Sequence, residues 1–237
     1  MSYANAISIG GPTVFFTGAG ISVGAGLPTY RGTGGLYEGS DLEPPHARDL
    51  IPERLPALWA RFRERLRAVG SIAPAAAHLH IAELEGRHSD PITVVTQNVD
   101  GLHTRAGSSR VIELHGTLRR MRCIGAGHRL FVEQATWVDG LPICTLCGEP
   151  CRPDVVLFGE ALPQQAWEAA ETAMSRARTI VAVGTSAQVY PAALLIESRA
   201  SSAEHCIWVN PETGPPGPEW TWLQGDADQQ MTRLAPA

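Results

Sequence analysis

The sequence predicts an α/β protein: a parallel sheet with helices between its strands, interrupted by two insertions. Three observations carry this. Short apolar runs rich in β-branched residues recur along the chain, and most lack the polar alternation of a half-exposed strand, as strands covered on both faces do. Helix-like segments fall between them, the order that gives a parallel sheet. Two stretches, 33–73 and 119–152, break the rhythm.

The strand runs are Thr13–Thr17, Ile92–Thr96, Val111–Leu114, Ile180–Val183 and Cys206–Val209. The clearest helix is Pro163–Arg178, which opens on proline and carries Ala166, Trp167, Ala170 and Met174 at helical spacing. Pro74–Leu84 and Pro191–Arg199 read the same way. The first insertion offers one basic helix around Leu58–Val69 and no strand. The second is short, rich in glycine and proline, and needs help to form a core. After Asn210 comes GPPGPEW and a weakly helical tail, and no internal repeat is visible.

Composition narrows the chemistry. The 237 residues are 44% hydrophobic and 18% charged, which suits a folded domain with a sizeable core. The net charge of −5 argues against a nucleic-acid or anionic-membrane binder that relies on bulk charge. All 19 basic residues are arginine. Without lysine there is no Walker-type P-loop and no enzyme-borne Schiff base. Neither a membrane-length apolar run nor a secretory signal is visible, so the cytoplasm is the expected compartment. Four of the five cysteines, Cys123, Cys144, Cys147 and Cys151, cluster in a way that suggests a metal rather than disulfides.

Three motifs follow directly on predicted strands. GAGISVGAGLPTYRG (18–32) follows PTVFFT; Gly18 and Gly20 suit a tight strand-to-helix turn that lets the backbone approach a pyrophosphate, with the Ser22 hydroxyl nearby. An ordinary βα turn would look similar. The acidic residue expected about 20 positions on is absent, which disfavours an ordinary dehydrogenase unit. TQNVDGLH (96–103) follows PITVV and offers Gln97, Asn98 and Asp100 to an amide or a ribose, although QN and DG are also turn formers. ELHG (113–116) ends a third strand on His115, a candidate general base. Ligands bind beyond the carboxyl ends of such strands, so the three motifs share one crevice.

With RPDVVLFGE (152–160), GTSAQVYPAA (184–193) and VNPE (209–212), these blocks resemble those of the sirtuin family, in the family's order, from about Thr13 to Ala227. The resemblance implies a Rossmann-type NAD-binding domain from 1–32, 74–118 and 153–237. It also implies a small domain made of a helical module (33–73) and a zinc ribbon (119–152).

The activity implied is NAD-dependent removal of acyl groups from protein lysines, giving nicotinamide, free lysine and O-acyl-ADP-ribose. Mono-ADP-ribosylation of proteins on the same fold is the alternative. By resemblance, Gly18, Ala19, Gly20 and Ser22 would hold phosphates and ribose, and Tyr30 and Arg31 would close a loop over the cofactor. Gln97, Asn98 and Asp100 would line the ribose and nicotinamide pocket. Gly184, Thr185, Ser186, Asn210, Glu212 and Ala227 would line the adenosine side. His115, with Asn98 and Asp100, would be catalytic, His115 taking a proton from a ribose hydroxyl. Val155, Phe158, Gly159 and Glu160 would wall the acyl-lysine tunnel. Zinc would be structural, held by Cys123, Cys144, Cys147 and a fourth ligand, His128 or its rival Cys151. For acyl choice, Thr29 resembles the branch that removes acidic acyl groups. Family spacing puts Ala60 and Arg63 where that branch carries tyrosine and arginine, and a shift of two offers Phe62 and Arg65.

Overall fold

The computed structural model describes residues 6–30, 34–38, 43–198 and 203–237. In chain order the elements are β1 (Ile7–Ile9), β2 (Thr13–Thr17), α1 (Leu55–Gly70), α2 (Ala76–Arg87), β3 (Ile92–Thr96), α3 (Leu102–Ala106) and β4 (Val111–Glu113). Then come β5 (Gly116–Cys123), β6 (Arg129–Phe131), β7 (Thr136–Val138), β8 (Leu141–Ile143) and β9 (Cys151–Val155). The chain closes with α4 (Gln164–Arg176), β10 (Thr179–Val183), α5 (Ala193–Glu197), β11 (His205–Asn210), β12 (Trp220–Gln224), α6 (Ala227–Met231) and β13 (Leu234–Pro236).

Six strands form one sheet in the order β12-β11-β10-β2-β3-β4, every neighbouring pair parallel. The chain starts this sheet at β2, builds outward to β4 on one side, and returns at β10 on the other. A switch in strand order therefore lies between β2 and β10, where a crevice opens at the carboxyl ends. Apolar side chains cover both faces. One core gathers Phe15, Ile21, Ile81, Val94, Val181 and Val209 beneath α2 and α6; the other gathers Phe16, Val95, Met174, Ala182, Ile196 and Trp208 beneath α4 and α5. All five residues of β2 and of β10 are buried, which is why these strands read as continuous apolar runs.

The two insertions pack on each other. β5, β6 and β9 make a small antiparallel sheet, and β7 and β8 a two-stranded ribbon. Their apolar side chains meet Leu55, Leu58, Trp59 and Phe62 of α1 in a third core. The Trp59 indole N–H donates to the carbonyl of Cys151 at 2.7 Å, stitching the helix to β9.

Two expectations need correction. The tail after Asn210 is not merely weakly helical: β12 extends the main sheet on β11, and β13 pairs in parallel with β1. As an edge strand, β12 buries only Trp220 and Leu223, too weak an apolar pattern to stand out among its glycines and prolines. The glycine-rich loop leads into a 3-10 segment, Ala19–Ala25, and not into a regular helix. At its start the Gly20 N–H bonds to the Gly184 carbonyl across from β10.

Candidate functional site

Register brings the motifs together. Val183, Thr17, Thr96 and Glu113 are partners across β10, β2, β3 and β4, and Val183 also partners Val209 of β11. Gly184, Gly18, Gln97, Leu114 and Asn210 come next along their strands. Four segments thus deliver their first residues beyond the strands to one edge, where Asn210, the last residue of β11, joins them.

At the switch in strand order the glycines have a physical reason. The Gly20 N–H donates to the Gly184 carbonyl at 2.9 Å, and a Cβ on Gly20 would lie 2.6 Å from the Gly184 Cα. Gly184 itself sits at φ +60, where side chains are strained. Only glycine pairs let the two loops touch, and the result is a cradle largely of backbone, with the Thr185 side chain against Gly18. That fits a bulky anionic dinucleotide at the crevice floor.

Polar side chains frame this floor. Ser22, Asn98 and Asp100 form a closed network: the Ser22 hydroxyl donates to Asp100 Oδ2 at 2.8 Å, and the Asn98 amide donates to Ser22 Oγ and to the Gly18 carbonyl. Asp100 Oδ1 also accepts the Leu102 N–H, so both carboxylate oxygens are committed. Gln97 donates to Thr185 Oγ1 at 3.0 Å, and the Asn210 amide donates to the Thr185 carbonyl. Ala19 is half-buried beside this network, Ser186 and Glu212 are exposed, and Ala227 packs in the same core as Ile21. Arg31 lies outside the described residues. Tyr30 stacks toward Phe158, ring centroids 6.0 Å apart, and toward Tyr37 at 5.0 Å.

Two histidines of the site sit in contrasting surroundings. His115 is half-buried, and its Nδ1 lies 2.8 Å from the Gln97 carbonyl. A carbonyl only accepts, so Nδ1 carries the proton and Nε2 is left as a bare base. Burial holds the His115 pKa below the ordinary histidine value, with the Gln97 contact pulling weakly the other way. His103, which follows Asp100 in the same motif, is fully enclosed and bonded to Thr17 Oγ1 at 2.9 Å. Burial, and then neighbouring His78, push its pKa down to about 3, so it stays neutral. Sequence reasoning passed over His103; its place in DGLH was the available signal.

Val155 ends β9, and Phe158, Gly159 and Glu160 follow it. The Val156 N–H donates to the His115 carbonyl at 2.8 Å, and Phe158 exchanges backbone bonds with residues 45–47. The Glu160 carboxylate faces inward onto the buried guanidinium of Arg152. Arg63 is turned to the ribbon, its guanidinium 4.8 Å from the Trp137 ring centroid. Arg65 instead hydrogen-bonds the Tyr37 hydroxyl.

Cys123, His128, Cys144 and Cys147 place their donor atoms within 4.8 Å of one another. Tetrahedral zinc with Zn–S near ~2.3 Å needs donors ~3.8 Å apart, and pairs here approach at 3.3 Å (Cys123–Cys147) and 3.4 Å (Cys144–His128). Three soft thiols and an imidazole fit zinc and leave no open position. Cys151 partners Cys123 across β5 and β9 and stays outside this group.

A profile of the Sir2 family matches residues 18–191. An NAD-dependent protein deacylase of Thermus thermophilus is 43% identical over 205 residues, 84% of this chain and 79% of that protein. A Sir2 homologue solved with ADP-ribose superposes with a TM-score of 0.82 at 36% identity, covering 93% of this chain and 90% of that one. A Sir2 structure holding a deacetylated p53 peptide and 3′-O-acetyl ADP-ribose gives a TM-score of 0.81 at 32% identity, covering 93% and 91%.

Proposed function

The chain belongs to the Sir2 family, and from its site we infer that it is an NAD-dependent protein-lysine deacylase. The observation that carries this reading furthest is His115, fixed by the Gln97 carbonyl with Nε2 free, at the edge where the glycine cradle lies. Bound NAD would supply the ribose carbon that the acyl oxygen attacks as nicotinamide leaves; with one water consumed, the acyl group ends on a ribose hydroxyl, giving O-acyl-ADP-ribose and free lysine. The backbone at Gly18, Ala19 and Gly20 holds the phosphates. Ser22, Asn98 and Asp100 orient the nicotinamide ribose, with Gln97 beside them. Thr185, Ser186, Asn210, Glu212 and Ala227 serve the adenosine side, and Tyr30 with Arg31 covers the cofactor. His115 Nε2 accepts a proton from a ribose hydroxyl, an act that direct ADP-ribosyl transfer does not need, which disfavours the transferase alternative.

Cys123, His128, Cys144 and Cys147 hold a structural zinc. Their thiols must stay reduced to serve as ligands, which supports a cytoplasmic setting. Among the described residues no helix is long and apolar enough to cross a membrane. The substrate is an acylated lysine on a protein, entering between Val155–Glu160 and the 34–38 turn. Tyr30 and Phe158 make that entrance aromatic, and Arg63 is engaged by Trp137, which supports acetyl or longer apolar acyl groups. The Arg65–Tyr37 pair favours a second reading, an acidic acyl group met by a cation and a phenol.

The test is incubation with NAD and matched acetyl-, succinyl- and long-chain acyl-lysine peptides, with products read by mass spectrometry. O-acyl-ADP-ribose together with free lysine is the expected result. Nicotinamide release with ADP-ribose attached to protein and no deacylation overturns it. Fastest turnover of the succinyl peptide, abolished in Arg65→Ala, selects the second reading.

A further inference from the structure

We propose that Arg152 and Glu160 form an internal lock that shapes the segment from Val155 to Glu160, and that Glu160 serves the reaction through this lock and not by touching substrate. The proposal rests on reading that segment as the wall of the acyl-lysine entrance.

Arg152 is 5% exposed, so its charge must be met inside the protein. Its fork grips Glu160 twice, Nη1 to Oε1 at 2.6 Å and Nη2 to Oε2 at 2.8 Å. The same guanidinium donates to the Val155 carbonyl at 2.7 Å and to the Pro153 carbonyl at 3.1 Å. Glu160 Oε2 in turn accepts the Leu157 N–H at 2.9 Å. One ion pair therefore holds backbone groups at residues 153, 155 and 157 together with the side chain of residue 160. Bidentate charge-assisted bonds of this kind fix geometry as well as add energy.

What the lock holds in place is the entrance. Phe158, between the gripped residues, faces Tyr30 and bridges to residues 45–47. Gly159 sits at φ +83, and a Cβ there would lie 2.5 Å from the His46 ring, so this turn has no slack. At the other end, Val156 is bonded to the His115 carbonyl. A shift of the segment would disturb the aromatic wall and the histidine together. With both carboxylate oxygens spent on Arg152 and Leu157, Glu160 is a positioning residue.

The test compares Arg152→Lys, Glu160→Gln and the double variant by amide hydrogen exchange and by kinetics with peptide and NAD varied separately. Zinc content and NAD binding check the fold. The lock predicts that each single variant loses at least about tenfold protection at Leu157 and its neighbours. It predicts a peptide KM raised about tenfold or more with NAD KM within about twofold, and a double variant no worse than the worse single. Lysine keeps the charge but loses the fork, so it does not rescue. Normal exchange in Glu160→Gln overturns the proposal, and this holds even if Arg152→Lys fails to fold. So does a defect in Glu160→Gln beside a normal Arg152→Lys, which would mean direct contact with substrate. So does an equal rise in both KM values. A wild-type protein that deacylates no peptide sinks the reading of the entrance, while the exchange arm still decides the lock.

Discussion

The parallel sheet and the ribbon-bearing lobe reach order by different means. In the sheet, β2 and β10 bury every residue and two separate apolar cores cover its faces. The ribbon strands β6, β7 and β8 have three residues each, and half or more of those side chains remain in contact with solvent. That lobe depends on Trp59 and its helix on one side and on a knot of metal donors on the other. The proposed chemistry is divided along the same line. Cofactor cradle and base stand on the self-sufficient half, while the wall of the substrate entrance hangs from β9, which the ribbon supports.

The sharpest way to break this division is to remove the base. His115→Ala should lower multiple-turnover deacylation by at least ~10²-fold, the usual scale for loss of a general base. NAD binding by titration and zinc content by metal analysis should stay at wild-type levels, because the His115 imidazole bonds to the Gln97 carbonyl and is not among the metal donors. Near-wild-type turnover refutes the assignment. Lost zinc would mean that the two halves are not independent.

A smaller effect is expected from the other half. Cys144→Ala and His128→Ala should each lose zinc and raise the peptide KM by roughly tenfold, since loss of a structural metal loosens the elements its ligands join. NAD affinity should change by less than about twofold. Cys151→Ala should retain the metal, because Cys151 stands outside the donor group. Calorimetry of the metal-free protein should then resolve an early transition of the ribbon lobe ahead of the sheet. Zinc retained in both His128→Ala and Cys144→Ala would refute the ligand set.

What could be read from the sequence follows the same division. The sheet was legible because strands buried on both faces leave unbroken apolar runs, and because candidate site residues such as Gly18, Gln97, Asn98 and His115 come within two positions of where those runs end. The candidate fourth metal donor was narrowed to His128 or Cys151 by the family resemblance together with spacing. β12 was hidden, since an edge strand that buries only Trp220 and Leu223 carries a weak signal. β13 was hidden because its partner, β1, lies at the other end of the chain. The Arg152–Glu160 lock was illegible for another reason: in a sequence, a charge that will be buried looks like one that will be solvated. The backbone course alone decides between them.

The last and smallest expectation concerns pH and compares the two histidines of the one site. Both are pushed toward the neutral form by burial, His103 down to about 3 and His115 below the ordinary histidine value. A general base works only while unprotonated, so activity falls as pH drops through the His115 value and not before. Since burial lowers that value, the acid limb of kcat/KM should lie below about 6.5, the position of an ordinary histidine. His103 should add no limb within the working range. Replacing its partner by Thr17→Val should therefore leave the limb where it is while altering the packing behind Asn98, whose N–H reaches Thr17 through Thr96. A limb at or above the ordinary histidine value would mean that His115 is more open to water in the working enzyme than in this structure. A limb that moves with Thr17→Val would assign the titration to the enclosed pair instead.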